Sequence, residues 1–467
     1  MEKTKFRAAV WSYGWDAISE ESPQGAATLE DDGVTLEIPF GRILGKPLIP
    51  LDDKAYPEAA ERLFGISVDG KWMVARHAFL KRSWANSAGG TCQTVHARDL
   101  LVGRNRFDPD ARVSVATAKY LGLRDWVGGG PIEARLATGP QAISTLTIRH
   151  GSDFNAGGTV YDGEDVRVSM ERSFCFSPPS PEGAGIKTDC LLRIEFKSQA
   201  EIDTARDVAL ELGRFLSMCM GFDARLESLE LRQCGCDSNI RLYFAHVRGE
   251  EPTSRQLHLM PVPYEGVKDG MSALLERWLT AGGEFGDAKG LVCSLMFKSW
   301  SLPVDLRLIA ASQALEELTR IGANAYSRSA EEVERDKAEV TRSIADKELR
   351  RRILNGLSRN RKGQNRLLRE FLVRRSDVAD AVIGDTEAFV TAHTTLRNKY
   401  AHRTQLLLAD KMEDYGERLH WHTECVLMLC YLTVMVLTGI APEMAVSALR
   451  RLKGDEVAKV KSLYPGT

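Results

Sequence analysis

The sequence contains few motifs that would fix its chemistry at once. None of its nine cysteines (92, 175, 190, 219, 234, 236, 293, 425 and 430) forms a CxxC pair. An odd number of scattered thiols, several within apolar runs, points to free buried cysteines in a reducing compartment, not to a disulfide framework. "CGC" at 234–236 has no second ligand pair at zinc spacing. "GRILGKP" (41–47) is not a phosphate loop: three residues separate its glycines instead of four, and Pro47 stands where Ser or Thr would meet magnesium. "GGG" at 128–130 runs into a proline instead of opening a helix. G-x-S-x-G and H-E-x-x-H are missing as well. No metal and no cofactor is expected.

Charge of one sign is also lacking. Lys and Arg number 62 against 64 Asp and Glu, a net charge of −2. That argues against a chain that coats nucleic acid along its whole length, while leaving room for a local basic surface. The longest strongly apolar run, "VLMLCYLTVMVL" (426–437), would span about 18 Å as a helix, short of the roughly 30 Å of bilayer hydrocarbon. The opening "MEKTKFRAAVWSYGW" has neither the apolar core nor the cleavage site of a signal peptide. A cytoplasmic location with no membrane partner is expected.

What is present divides into two halves. At 467 residues the chain can form two or three domains. "VTLEIPF" (34–40), "GISVDGKWMVA" (65–75), "STLTIRH" (144–150), "DVRVSMERSFCF" (165–176), "LLRIEFK" (191–197) and "IRLYFAHV" (240–247) are short runs rich in Val, Ile, Thr and aromatics, and read as strands. Asp69-Gly70 marks a hairpin, and "SPPSPEGAG" (177–185) a loop. One helix interrupts at 200–221, closed by Gly221. Trp11, Tyr13, Trp15 and Trp72 read as core. From about 268 the apolar period becomes helical, in "SALLERWLTA", "VDLRLIAASQALEELTRI", "AEEVERDKAEVTRSIADKELRRRIL", "QNRLLREFLVRRSDVADAVI" and "ERLHWHTECVLMLCYLTVMVL". The expected fold class is α+β and multidomain. A β-rich domain over 1–250 is followed by a linker over 251–267, with two prolines in "HLMPVPYEG", and a helical bundle over 268–467.

Two features of the helical half carry candidate chemistry. Between Lys347 and Arg375 eleven basic residues face only Glu348 and Glu370. Nine of the eleven are arginines, whose planar guanidinium suits bidentate phosphate contact. Arg350, Arg351, Arg352, Arg359, Arg361, Lys362 and Arg366 are therefore candidate RNA contacts, although such runs are commonly just solvated helix faces. "HWH" (420–422) puts two imidazoles about 200° apart on a helix, which excludes a shared metal and suggests a surface pair. His393 reads as a solvated or packing histidine.

The second feature is "LRNKYAHRTQ" (396–405). On one helix Asn398 and His402 share a face, while Arg397 lies about 140° from His402. A kink, the reach of the arginine, or a second copy across a dimer interface would be needed to unite them. The residue types suit RNA cleavage without metal. An imidazole can take the 2′-OH proton or protonate the leaving 5′-oxygen, and a guanidinium can hold the phosphate. By type alone, however, such a triplet means little.

"RNKYAH" resembles the R-N-x-x-x-H signature of HEPN domains, which are all-helical modules. The resemblance implies that Arg397, Asn398 and His402 form a ribonuclease site, typically completed by dimerisation. The helix "VDLRLIAASQALEELTR" (304–320) is similar to that family's first long helix, and Glu316, or less well Glu317, matches its acidic residue. The whole chain, with its "RIEFKS…ARDVALELGRFLSMCMGF" stretch, is similar to ApeA-type antiphage proteins, which join a β-rich N-terminal domain to an ApeA-like HEPN domain. This implies an abortive-infection endoribonuclease that cleaves host RNA, tRNA among the candidates, to 2′,3′-cyclic phosphate ends. It would act as a homodimer or higher oligomer, held inactive by the N-terminal domain until a phage-derived trigger arrives. The alternative is a non-catalytic HEPN fold serving as an RNA-binding or scaffold protein. A nucleotidylyl transferase would need a Gly-Ser loop with paired aspartates on a strand, and none is found.

Overall fold

The computed structural model describes the chain apart from residues 1–4, 31–32, 46–56, 86–90, 129–131, 136–144, 149–154, 162–163, 177–185, 235–237, 246–251, 254–255, 257–258, 299–301, 324–328, 359–361, 402–411 and 466–467. It divides into two compact units, one of residues 1–258 and 263–280, the other of 259–262 and 281–467. A β-rich first half and a helical second half are what the change of period predicts.

The first unit is built on β1 (Lys5–Ser12), β2 (Gln24–Glu30), β3 (Gly33–Phe40), β4 (Ala59–Ser67), β5 (Trp72–Ala85), β6 (Thr91–Gly103) and β7 (Val113–Tyr120). The short helix α1 (Leu123–Val127), then β8 (Ile132–Arg135), β9 (Thr145–Ile148), β10 (Asn155–Tyr161), β11 (Glu164–Phe176) and β12 (Ile186–Ala200) follow. Helix α2 (Ile202–Met220), β13 (Leu226–Gln233), β14 (Ile240–Phe244) and α3 (Met271–Thr280) complete it. Twelve strands form one antiparallel sheet in the order β10-β11-β12-β7-β13-β14-β6-β3-β2-β1-β4-β5, with β8 and β9 a separate pair.

Because β5 also pairs with β6, the strands β1, β2, β3, β6, β5 and β4 close into a six-stranded barrel. Strand β6 makes this possible by length. One edge runs along β5, while the other is divided between β3, which takes Gln93–Ala97, and β14, which takes Asp99–Gly103. Closure removes the free edges that would otherwise invite aggregation. Trp11, Leu36, Leu63, Met73 and Val95 fill the interior. Trp11 presses so closely on Gly65 that a Cβ there would lie 2.7 Å from its ring, so only glycine fits. The β4–β5 hairpin turns at Asp69-Gly70, where Gly70 takes φ +76°. Trp15 stacks edge-on against Trp72, Phe64 and Phe107, while Tyr13 is 41% exposed.

A buried ion network joins the barrel to α2. Asp99, fully buried on β6, accepts from Arg76 of β5 at 2.5 and 2.9 Å and from Arg98 at 2.9 Å. Asp203, in the first turn of α2, accepts from Arg76 at 2.8 Å, from Arg98 at 2.9 and 3.0 Å and from Arg206 at 3.3 Å. Burial alone would raise the Asp203 carboxyl; the charges of Arg76, Arg206 and Arg98 outweigh it and hold it below the ordinary carboxylate range. Helix α3 packs in the same unit, where Trp278 meets Phe215 edge-on and donates to the Glu211 carbonyl at 2.9 Å.

The second unit is all helical, with α4 (Gly283–Phe297), α5 (Val304–Arg320), α6 (Ala330–Ser343), α7 (Lys347–Ser358), α8 (Gln364–Arg374), α9 (Ser376–Val382), α10 (Thr386–Ala401), α11 (Met412–Thr438), α12 (Pro442–Lys453) and α13 (Glu456–Ser462). Residues 330–354 have an unbroken helical period, yet they form two helices. Ser329 and Glu332 close a capping box on α6, and the Asp346 carboxylate accepts from the amides of Glu348 and Leu349, so α7 starts anew. Helix α11 is the axis of this unit. Residues 416–438 are long and apolar enough to cross a membrane, but 83% of their most apolar window is buried inside the protein. Of the cysteines, 92, 190, 219, 293, 425 and 430 are buried and Cys234 is exposed.

Asp99 supplies a fully buried carboxylate to Arg76 and Arg98, so Asp99→Ala leaves the buried Arg76 with only the half-buried Asp203 as counter-ion. Urea unfolding should show the first unit destabilised by about 3–5 kcal/mol. Asp165→Ala, which breaks the exposed pair with Lys197 at 3.0 Å, should fall within experimental scatter.

Candidate functional site

The site is built on two helices of the second unit, α5 and α10. Helix α10 begins where the Asp385 carboxylate accepts from the Ala388 amide at 3.0 Å, and it buries Phe389, Val390 and Leu396. Leu396 packs with Leu308 of α5 and Leu419 of α11, with Val304 and Tyr400 around them. That packing leaves Arg397 and Asn398 on the flank of α10, in its last two turns.

Arg397 meets Glu316 of α5 at 2.8 Å through Nη2. Its Nη1 donates to the Asn398 Oδ1 at 3.3 Å. The Arg397 side chain is 37% exposed and that of Glu316 17%, so the guanidinium is anchored on one side and open to solvent on the other. Glu316 also faces Arg320 at 4.0 Å, while Glu317 takes Arg320 at 2.9 Å. Glu316, the acidic residue matched through the family resemblance, is the one that stands against Arg397. Helix α10 is described as far as Ala401; His402 lies outside the described residues, and so does its alignment with Asn398.

The basic run is more heavily paired than the sequence indicates. Lys362 and Arg366 hold Glu370 at 2.7 and 3.1 Å, and their hydrogen bonds and charges keep its carboxyl below the ordinary range. Arg352 takes Glu348 at 2.9 Å, and Arg369 grips Glu387 with both nitrogens at 2.8–3.0 Å. Arg374 caps the carbonyls of Ile321 and Thr319. Arg350 makes one long contact, 3.5 Å, to the Thr341 carbonyl, and Arg351 makes no ion pair among the described residues. Arg359 and Arg361 lie outside the described residues.

A second polar cluster stands directly behind Arg397. His420 is exposed, but His422 is fully buried, which corrects the expected surface pair. The two are on different faces because of the helical period, and the apolar run that begins at Val426 puts the His422 face inside. His422 Nε2 lies 3.3 Å from His393 Nδ1, and His422 Nδ1 lies 2.6 Å from the Tyr464 hydroxyl. His393, also buried, stacks on Phe389 and sits one turn before Arg397. Burial pushes His393 down to about 4, helped by the charge of Arg397. Burial, with His393 and Arg418 nearby, pushes His422 down to about 3. Both rings are neutral at neutral pH. Among the described residues no third His, Cys, Asp or Glu joins them to hold a metal ion.

These depressed values fix a pH dependence. The unfolded chain takes up protons on both rings near pH 6.5, while the fold takes them up only near 4 and 3. Stability is therefore full above 6.5 and falls as the pH drops below it. Unfolding of the helical unit at pH 5 should show a loss of about 2 kcal/mol per histidine relative to pH 7.5. His393→Gln should make that drop shallower by one histidine's share.

Comparison with known proteins bears on the first unit. The family model "ApeA N-terminal domain 1" matches residues 12–278, more than half of the chain. The match begins within β1 and ends within α3, and so spans the barrel, the open sheet and their helices. No curated protein and no solved structure matches the chain. With a barrel-and-sheet unit matched over nearly its whole length, the chain belongs to the ApeA family.

Proposed function

We propose that this protein is an antiphage defence effector whose helical unit is a HEPN-type endoribonuclease. Membership of the ApeA family supports the defence role. The observation that carries the nuclease reading is the Arg397 guanidinium, held by Glu316 at 2.8 Å and by Asn398, yet still open to solvent at the end of the helix leading to His402. Arg397 binds the scissile phosphate and stabilises the charge that develops in the transition state. His402 moves the proton of the ribose 2′-OH or of the leaving 5′-oxygen, which needs no metal and leaves a 2′,3′-cyclic phosphate. Asn398 and Glu316 orient the guanidinium. The substrate is host RNA, tRNA among the candidates, and the site is completed in a homodimer or higher oligomer in the cytoplasm. The barrel unit restrains activity until a phage-derived trigger arrives.

Purified full-length protein, incubated with total RNA in excess chelator and in lysate from phage-infected cells, should release cyclic-phosphate ends. His402→Ala and Arg397→Ala should each lower the cleavage rate by at least about 10²-fold, the scale of a lost proton carrier or charge stabiliser. Cleavage unchanged in His402→Ala would sink the assignment.

The pairing described above also ranks the RNA contacts. Among the described residues Arg350 and Arg351 make no ion pair, whereas Lys362 and Arg366 are engaged by Glu370. In filter-binding titrations, Arg350→Ala with Arg351→Ala should reduce the slope of log K against log salt by about 1.5. Lys362→Ala should move it less.

A further inference from the structure

The cluster behind Arg397 is tied to α10 at two places. The Tyr464 carbonyl accepts from the Asp385 amide at 2.8 Å, the residue that caps α10. Its hydroxyl reaches His422, which reaches His393, eight residues along from the cap. Phe389 fills the space between them, stacked on His393 and edge-on to Tyr464 at 5.6 Å. The two grips are therefore about 12 Å apart along the helix axis. Two such points fix a helix both along its axis and in rotation about it.

The hydrogen-bond chain also has a direction. A neutral imidazole has one N–H and one lone pair. Among the described residues the Tyr464 hydroxyl has no other acceptor within reach, and burial raises its proton affinity well above the ordinary phenol. It therefore donates to His422 Nδ1, since a buried phenol proton without an acceptor costs about 1–3 kcal/mol. His422 must then bear its proton on Nε2 and donate to His393 Nδ1, which leaves the His393 proton on Nε2. Arg397, Arg418 and the buried Cys425 thiol are the other ionisable groups whose charge bears on this chain; Arg397 favours the neutral form of His393 and Arg418 that of His422.

We propose that Tyr464, His422 and His393 are positioning residues that set the rotation of α10 and so aim Arg397 at Glu316 and the bound phosphate. The proposal rests on the nuclease reading of that site. A side chain one helical turn on is sensitive to such control: a rotation of about 20° sweeps a group about 6 Å from the axis through about 2 Å. A misplacement of that size is enough to spoil phosphate alignment.

The test uses full-length protein and two readouts. In wild type carrying ¹⁵N-labelled histidine, NMR at pH 7 should show His393 and His422 as neutral Nε2-protonated tautomers. In Tyr464→Phe the His422 ring should lose that single tautomer, and amide exchange over residues 393–401 should quicken at least 10-fold while the core of α11 keeps its protection. RNA cleavage by this variant should fall 10- to 100-fold in kcat, with KM within 3-fold of wild type. An Nδ1-protonated His422 in wild type overturns the proposal. So does a Tyr464→Phe protein with kcat within 2-fold of wild type when Arg397→Ala abolishes cleavage. If Arg397→Ala leaves cleavage intact, the nuclease reading fails instead, and the tautomers and exchange rates alone decide whether the chain aims α10.

Discussion

A helix buried on every side allows very few polar groups, and each one it carries must find a partner inside the protein. Between His422 and Met435 helix α11 is under that constraint, and the helical unit is arranged around it. Glu424, 3% exposed at its side chain, is met by Arg307 of α5 at 2.6 Å and by Lys453 at the end of α12 at 3.0 Å. Burial alone would raise its carboxyl, but the charges of Lys453 and Arg307 outweigh this and hold it below its ordinary value. His422, two residues earlier on another face, takes His393 of α10 and Tyr464 near the C-terminus. Two polar side chains on one apolar rod thereby specify where four other segments pack. Apolar contact alone would tolerate many rotations of those helices; a buried carboxylate or imidazole tolerates few.

The first unit solves a similar problem differently. A barrel and an open sheet share β6, so α2 must be held against a surface that belongs to both. Asp99 and Asp203, with Arg76, Arg98 and Arg206, supply that attachment through bidentate contacts, which fix direction as well as distance. Arg206 also takes Asp207 at 2.9 Å, so the three guanidiniums meet three carboxylates. The first turn of α2 is a poor place for a cation and a good one for Asp203.

How much of this was legible in the sequence depended on which force dominated locally. Strands with a continuous β-branched or aromatic character, such as 34–40 and 165–176, show in the period alone, and the Asp69-Gly70 turn announces its hairpin. Strand β6, on which barrel closure depends, is not among the strands the pattern picks out. Gln93, His96, Arg98 and Asp99 give it a polar composition, and Asp99 is buried only because Arg76, 23 residues earlier, is there to meet it. Helices α6 and α7 read as one, since the Asp346 cap is a single residue inside an unbroken apolar period. At the site, spacing put Asn398 and His402 on one face and left Arg397 aside. What Arg397 does on its own side, meeting Glu316 some eighty residues earlier, is a tertiary fact that no local pattern encodes. The His393 and His422 pair was missed for the same reason.

The pairing of Arg397 with Glu316 also bears on how such a site stays ready for RNA. A guanidinium carries five N–H donors in a fixed plane, and Glu316 and Asn398 engage one nitrogen each. The side chain stays 37% exposed, so on the proposed reading a phosphate is met by an arginine already held in orientation. A lysine would have a single ammonium to share and no plane to hold. Glu316 has Arg320 at 4.0 Å as a second cation, so its charge stays balanced as a phosphate draws on Arg397. The neutral imidazoles behind matter for the same balance. Were His393 or His422 charged, Arg397 would be one of several crowded cations and would lose its fixed alignment to Glu316. Their burial keeps them neutral and adds no further positive charge beside Arg397.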